Sequence, residues 1–372
     1  MDSRPHIAVL LENAFYSRVE RLLRRRGWRE ELIAYTGYGN AETARVLARV
    51  LLTRDHADAG PDATVAVQAS EPELEEAEDT QRGWRQFITA PAAGSPVRVR
   101  VGEAEATVHT NHGGYIDVDV RGHGLEPGWH EATLTDVRGQ TTSATLRIVG
   151  DDVTIGVVSD IDDTVMVTFL PRMLLAAWNT FVRSESAREA VPGMAVLLRS
   201  VERAEEGAPV FYLSTGAWNT APTLTRFLKR HGFPAGPLLM TDWGPTNTGW
   251  FRSGREHKRS QLRRLCREFP HIQWVLVGDD GQHDPMIYGE FTKDHPEAVA
   301  AVLIRELTTA QQILSHGLPI ANDEILVRRD ELLGLEPGDY AVPMLRAPEG
   351  YTLHRLLHRT LEVRRRFALD RS

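Results

Sequence analysis

Four apolar runs in the second half of the chain, at residues 155–158, 210–213, 274–277 and 300–304, are separated by segments with apolar positions at helical spacing. Residues 260–269 are one such segment. Strand and helix alternating on this scale predict an α/β unit, a Rossmann-like three-layer arrangement around a parallel sheet. The first half reads differently. Val97-Arg98-Val99-Arg100-Val101, Tyr115-Ile116-Asp117-Val118-Asp119-Val120 and Ala144-Thr145-Leu146-Arg147-Ile148 alternate apolar and polar, with turn signals at Asn111-His112-Gly113-Gly114 and Arg138-Gly139-Gln140. Short alternating strands of this kind predict an antiparallel β-sandwich. An acidic stretch at residues 71–79 interrupts it as a solvated loop or short helix. Ahead of it, Leu11, Ala14, Phe15, Leu22 and Leu23 mark one face of a helix whose other face carries arginines, and Gly27 stops the run. Residues 352–367 repeat that basic amphipathic pattern with Leu353, Leu356, Leu357 and Leu361. The expected organisation is a helical segment over 1–40, a sandwich-like domain over 41–150, the α/β domain over 151–320 and a helical tail over 321–372.

The predicted α/β strands carry chemistry at their ends. Ile155-Gly156-Val157-Val158-Ser159 runs into Asp160-Ile161-Asp162-Asp163-Thr164. Carboxylates packed at a strand tip repel one another unless a cation holds them, and the carboxyl ends of strands are where α/β sheets bind ligands. Asp160 is positioned as a nucleophile toward a phosphoryl group, with Asp162 as its proton-transfer partner. The second run ends in Ser214-Thr215-Gly216, where a hydroxyl and backbone N–H groups can hold phosphate oxygens. The third ends in Gly278-Asp279-Asp280-Gly281-Gln282-His283-Asp284, a source of hard oxygen ligands. Asp279 is the expected direct ligand of Mg²⁺, with Asp284 supporting it through a water or a hydrogen bond.

Composition sharpens this. The charged fraction is ordinary, the net charge is −8, and an acidic balance argues against a nucleic-acid partner. Cys266 is the sole cysteine, so no disulfide framework or cysteine zinc site is expected. No run of eighteen apolar residues and no signal-peptide pattern occur. These features predict a cytoplasmic protein that touches a membrane at its surface at most. Lysine occurs only at Lys229, Lys258 and Lys293 among 43 basic residues. A chain so poor in lysine keeps one where a compact ammonium fits and a planar guanidinium does not. Lys258, opening a helical segment, is the candidate. His354 and His358 stand one helical turn apart without a third ligand and read as a solvated helix face.

In order and spacing these pieces resemble the haloacid-dehalogenase superfamily, and the second acid at Asp162 resembles its phosphatase pattern. Asp160-Ile161-Asp162-Asp163-Thr164, Ser214-Thr215-Gly216-Ala217-Trp218-Asn219, Asp242-Trp243-Gly244, His257-Lys258 and Gly278-Asp279-Asp280-Gly281-Gln282-His283-Asp284 together look like the catalytic domain of the actin-patch-protein phosphatidate phosphatases, over residues 154–314. The resemblance implies a haloacid-dehalogenase-like fold and a Mg²⁺-dependent hydrolysis of phosphatidate to diacylglycerol. It implies Asp160, Asp162 and Lys258 as catalytic residues and Thr164, Ser214, Thr215, Gly216, Trp218 and Asn219 as substrate-binding. Asp160, Asp162, Asp279 and Asp284 would hold the metal. Residues 165–181, rich in large apolar side chains with Arg172 and Arg183 nearby, stand where that superfamily inserts a lid and would suit an acyl-chain substrate. A phosphatase of a soluble sugar or nucleotide phosphate and a phosphate-sensing binding module are the rival readings. Lid composition discriminates the first, and the intact set of Asp160, Asp162, Lys258 and Asp279 argues against the second.

Overall fold

In a computed structural model, residues 22–54, 90–167, 189–241, 250–281, 283–308 and 342–369 are described. The chain divides into two compact units, Met1–Leu125 with Trp129–Leu146, and Glu126–Gly128 with Arg147–Ser372. Among the described residues no helix is long and apolar enough to cross a membrane.

The first unit is built on one eight-stranded sheet of β1 (Trp28–Gly39), β2 (Thr43–Arg54), β3 (Ala90–Pro91), β4 (Pro96–Val101), β5 (Ala104–His109), β6 (Tyr115–Arg121), β7 (Gly128–Thr135) and β8 (Thr141–Ile148). The strand order is β3-β2-β1-β8-β7-β4-β5, with β6 paired to β2. Alternation decides these strands: Val97, Val99 and Val101 are buried while Arg98 and Arg100 are exposed. Residues 28–39, assigned above to a leading helical segment, are instead a strand paired antiparallel with β2. Gly27, at φ 83, follows the helical turn at residues 22–25 and turns the chain. A register shift between Tyr35 and Tyr38 blurs the two-residue period of β1. Buried Arg45 is held by Asp117 at 2.7 and 2.6 Å and by the Tyr38 hydroxyl at 2.8 Å.

The second unit contains a six-stranded sheet of β9 (Ile155–Asp160), β10 (Val210–Ala217), β11 (Leu238–Thr241), β12 (Gln273–Asp279), β13 (Val299–Arg305) and β14 (Met344–Ala347). Its order is β11-β10-β9-β12-β13-β14, and every pairing is parallel. All four predicted runs are strands. The sheet also takes in β11 and, from the segment read as a helical tail, β14.

Among the described residues, five helices connect and cover these strands: α1 (Met194–Ala204), α2 (Ala221–Arg230), α3 (Trp250–Glu268), α4 (Asp284–Asp294) and α5 (Gly350–Leu369). In α1 the buried residues Met194, Leu197, Leu198 and Val201 follow one helical face. The floor of the sheet is aromatic. Trp274 meets Phe211 edge-on at 5.6 Å, and a Cβ on Gly156 would lie 2.5 Å from the Trp274 ring, so the central strand needs glycine there. The chain builds outward from β9 through β10 to β11, then returns to β12 on the other side. The carboxyl ends of β9, β10 and β12 therefore meet where strand order reverses, the crevice in which α/β sheets place ligands.

Candidate active site

Asp160 closes β9 and is 2% exposed. Beyond it the chain turns sharply: the amides of Thr164, Val165 and Met166 all donate to the Ile161 carbonyl, at 3.3, 3.0 and 3.2 Å. Asp163 adopts φ 56, the one left-handed non-glycine among the described residues. Aspartate tolerates that conformation better than most residues, at a cost of roughly 1–3 kcal/mol. The turn sends consecutive side chains to different partners. Thr164 Oγ1 donates at 3.4 Å to Asp160 Oδ2 or at 3.3 Å to Asp279 Oδ2. Asp162 faces β10 and accepts from Ser214 Oγ at 3.3 Å.

Lys258 reaches this cluster from α3. It shares the helix's apolar face with Leu262 and Leu265, and all three are buried. Its Nζ donates to Asp160 Oδ1 and to Asp284 Oδ1, both at 2.6 Å. Lys229 and Lys293 are exposed. Of the three lysines, only the one selected from scarcity and motif order is buried.

Asp279 ends β12 and Asp284 opens α4; neither has measurable exposure. Asp279 Oδ1 accepts from the Gly281 amide at 2.8 Å. A Cβ on Gly278 would stand 2.6 Å from Asp284 Oδ2, so glycine lets this carboxylate fold back against the strand tip.

Ligand oxygens of Asp160, Asp279 and Asp284 all lie within 4.8 Å of one another. Burial pushes the Asp160 carboxyl up to about 8; Lys258 opposes the rise, while Asp284 and Asp162 add to it. Asp279 is raised well above the usual carboxylate range, by burial first and then by Asp284 and Asp160. Burial alone would lower Lys258, but the attraction of Asp160 and Asp284 outweighs it and its affinity for a proton rises. The cluster is thus short of positive charge. Asp284 Oδ2 is buried without a hydrogen-bond partner, and the donors are hard oxygens. This is an environment that fits a divalent cation such as Mg²⁺.

The remaining predicted residues line the tip of β10. Gly216 N–H donates to Ser214 Oγ at 2.9 Å, so it closes a local turn. Thr215 and Gly216 offer their carbonyls to Thr241 Oγ1, at 3.0 and 3.1 Å. Trp218 is buried. Asn219 Oδ1 is buried without a hydrogen-bond partner. Asp242, Trp243, Gly244 and Gln282 lie outside the described residues, as do residues 168–188, which include most of the expected lid.

Arg305 was missed from sequence. It ends β13, a strand whose seven residues are all buried, and its Nη1 donates to the Asp163 carbonyl at 2.5 Å. A charged residue closing so apolar a run was the available signal.

Residues 155–306, which span β9 through β13, match the family model described as "Phosphatidate phosphatase APP1, catalytic domain". That region resembles the APP1 catalytic domain. The chain is 23% identical over 171 residues to phosphatidate phosphatase APP1 of Saccharomyces cerevisiae, covering 45% of this chain and 29% of the yeast protein. It is 25% identical over 154 residues to an uncharacterized protein of Schizosaccharomyces pombe, covering 41% of this chain and 25% of that one. The chain therefore spans under a third of the length of these relatives. Among solved structures, a carbohydrate acetylesterase from Xanthomonas citri aligns at 10% identity and a TM-score of 0.25, covering 75% of this chain and 70% of that one. A likeness that low decides nothing about the site. What the match contributes is a likeness to a phosphatidate phosphatase catalytic domain over residues 155–306.

Proposed function

We propose that this protein is a Mg²⁺-dependent phosphomonoesterase that hydrolyses phosphatidate to diacylglycerol and phosphate through an aspartyl-phosphate on Asp160. The single observation that carries this reading is the placement of Asp160: at a strand tip, gripped by Lys258 at 2.6 Å and within 4.8 Å of Asp279 and Asp284.

An Asp160 carboxylate oxygen attacks phosphorus and the bond to the leaving oxygen breaks, while Asp162 delivers its proton to that oxygen as it departs. Asp162 then takes a proton from water as the water oxygen attacks the aspartyl-phosphate, releasing phosphate and restoring both acids. Asp162, expected above to help hold the metal, lies against Ser214 at the tip of β10 rather than among the three clustered carboxylates, and on that side it would carry this relay. Lys258 fixes the rotamer of Asp160 and offsets the repulsion between nucleophile and incoming phosphate. Mg²⁺ would be held by Asp160, Asp279 and Asp284, and would supply charge neutralisation to the phosphoryl oxygens. Thr164, Ser214, Thr215, Gly216, Trp218 and Asn219 would line the phosphate and leaving-group side.

The lipid substrate rests on the yeast relative's name and on the apolar composition of residues 165–181. With it we assign a haloacid-dehalogenase-like fold to the second unit, a sandwich-like fold to the first and a cytoplasmic protein working at a membrane surface.

The test is phosphate release from purified protein with dispersed phosphatidate and with glycerol 3-phosphate, with Mg²⁺ or EDTA. Activity should need Mg²⁺ and favour the lipid. Each CH₂ removed from water is worth about 0.8 kcal/mol, so kcat/KM should climb steeply with acyl length. Equal rates on the soluble ester would overturn the lipid assignment, and full activity in EDTA would overturn the metal.

A further inference from the structure

We propose that Arg305 is a positioning residue that clamps the nucleophile loop to the far side of the sheet and thereby aims Asp162. Arg305 is the last residue of β13, in register with Asp279 on one neighbour and with Ala347 on the other. It is 4% exposed, and its side chain reaches past the tip of β12 to the loop that follows β9. There Nη1 donates to the Asp163 carbonyl at 2.5 Å, while Nε donates to the Pro348 carbonyl at 3.4 Å. Its own carbonyl accepts from the Asp280 amide at 3.0 Å. One residue thus ties together the loop after the nucleophile, the loop after Asp279 and the entry to α5.

The bond to Asp163 falls at the strained point of the loop. Asp163 is left-handed at φ 56, and its amide donates to the Met166 carbonyl at 2.8 Å. With the amide held from one side and the carbonyl from the other, the peptide planes flanking Asp163 are held in place. The plane on the amino side leads directly to Asp162, whose carboxylate must face Ser214 and the leaving group. Asp160 itself is set by β9 and by Lys258, neither of which needs Arg305. Losing the clamp should therefore disturb Asp162 far more than Asp160.

That asymmetry is measurable, and the activity arm rests on the phosphatase reading above. In Arg305→Met, which keeps side-chain length without donors, short-chain phosphatidate should lose roughly a hundredfold in kcat, whereas p-nitrophenyl phosphate, which needs little protonation, should lose less than about fivefold. Arg305→Lys, with one donor restored, should recover part of the loss on phosphatidate; it also carries the comparison should the methionine variant fail to fold. Independently of activity, amide hydrogen exchange in the full chain should show residues 163–166 opening at least about tenfold faster in the variants, with β9, β12 and β13 unchanged. Equal losses on both esters, unaltered exchange in the loop, or the three strands loosening in step with it would each overturn the proposal. If the wild type hydrolyses neither ester, the phosphatase reading fails, and the exchange pattern still decides the role of Arg305.

Discussion

Replacing Asp160, the proposed nucleophile, should make the protein inactive and more stable at once. Without a cation, the buried carboxylates of Asp160, Asp279 and Asp284 face the single ammonium of Lys258. Asp160 titrates near 3.8 when free and is raised to about 8 in the fold, chiefly by burial, with Lys258 opposing and Asp284 and Asp162 adding. At pH 7 the metal-free native state must keep that carboxyl protonated while the unfolded chain ionises it. The native state then binds more protons than the unfolded one, so stability falls as pH climbs from about 4 toward 8. At about 1.4 kcal/mol per pH unit, the cost at pH 7 is at most about 4 kcal/mol. Asp279 competes for the same proton, which brings the share of Asp160 down to about 2 kcal/mol. Asp160→Asn is neutral at every pH and leaves Lys258 its partner Asp284. Calorimetry in EDTA at pH 7 should show the α/β unit of the variant melting roughly 4–8 °C above wild type. The gap should close near pH 4 and reverse in saturating Mg²⁺, which the variant binds poorly. A variant that melts below wild type in EDTA at pH 7, or a gap that ignores pH, would refute the charge argument.

Two further substitutions test separate parts of the site. Asp162→Asn should slow phosphatidate hydrolysis by roughly a hundred- to ten-thousandfold and p-nitrophenyl phosphate far less; equal slowing in steady-state assays would remove its role as acid. Lys258→Arg should be nearly as damaging to kcat as Lys258→Ala, because a broad guanidinium does not fit between carboxylates each 2.6 Å from Nζ. Lys229→Arg and Lys293→Arg serve as surface controls.

Much of this site was legible because strand tips announce themselves. A run such as Gln273–Asp279, buried and without a polar side chain from Trp274 to Gly278, leaves a carboxylate where the sheet ends. Lys258 was legible through scarcity, although its place on an apolar helix face beside Leu262 was the stronger signal. What escaped notice was short or irregular. Leu238–Thr241 and Met344–Ala347 have four residues each, too few to display a period, and their pairing with long buried neighbours makes them strands. In β1 the burial pattern does not alternate cleanly, because of the shift between Tyr35 and Tyr38. Arg305 was passed over for another reason: its partner is a backbone carbonyl, and beyond the apolar run it closes no side-chain motif marks that bond.

The central position of β9 also bears on how the protein reaches its native state. Val157 pairs with Val210 on one side, and Ile155 pairs with Gln273 on the other. Neither contact is local, and closing such long loops precedes any reward from the contacts themselves. Asp160 cannot meet Asp279 until both closures are complete. Folding of this unit should accordingly be slow for its size, and an early species would expose the apolar edges of β9 and β12. A gain of Mg²⁺ affinity during refolding would then mark the last closure rather than the first.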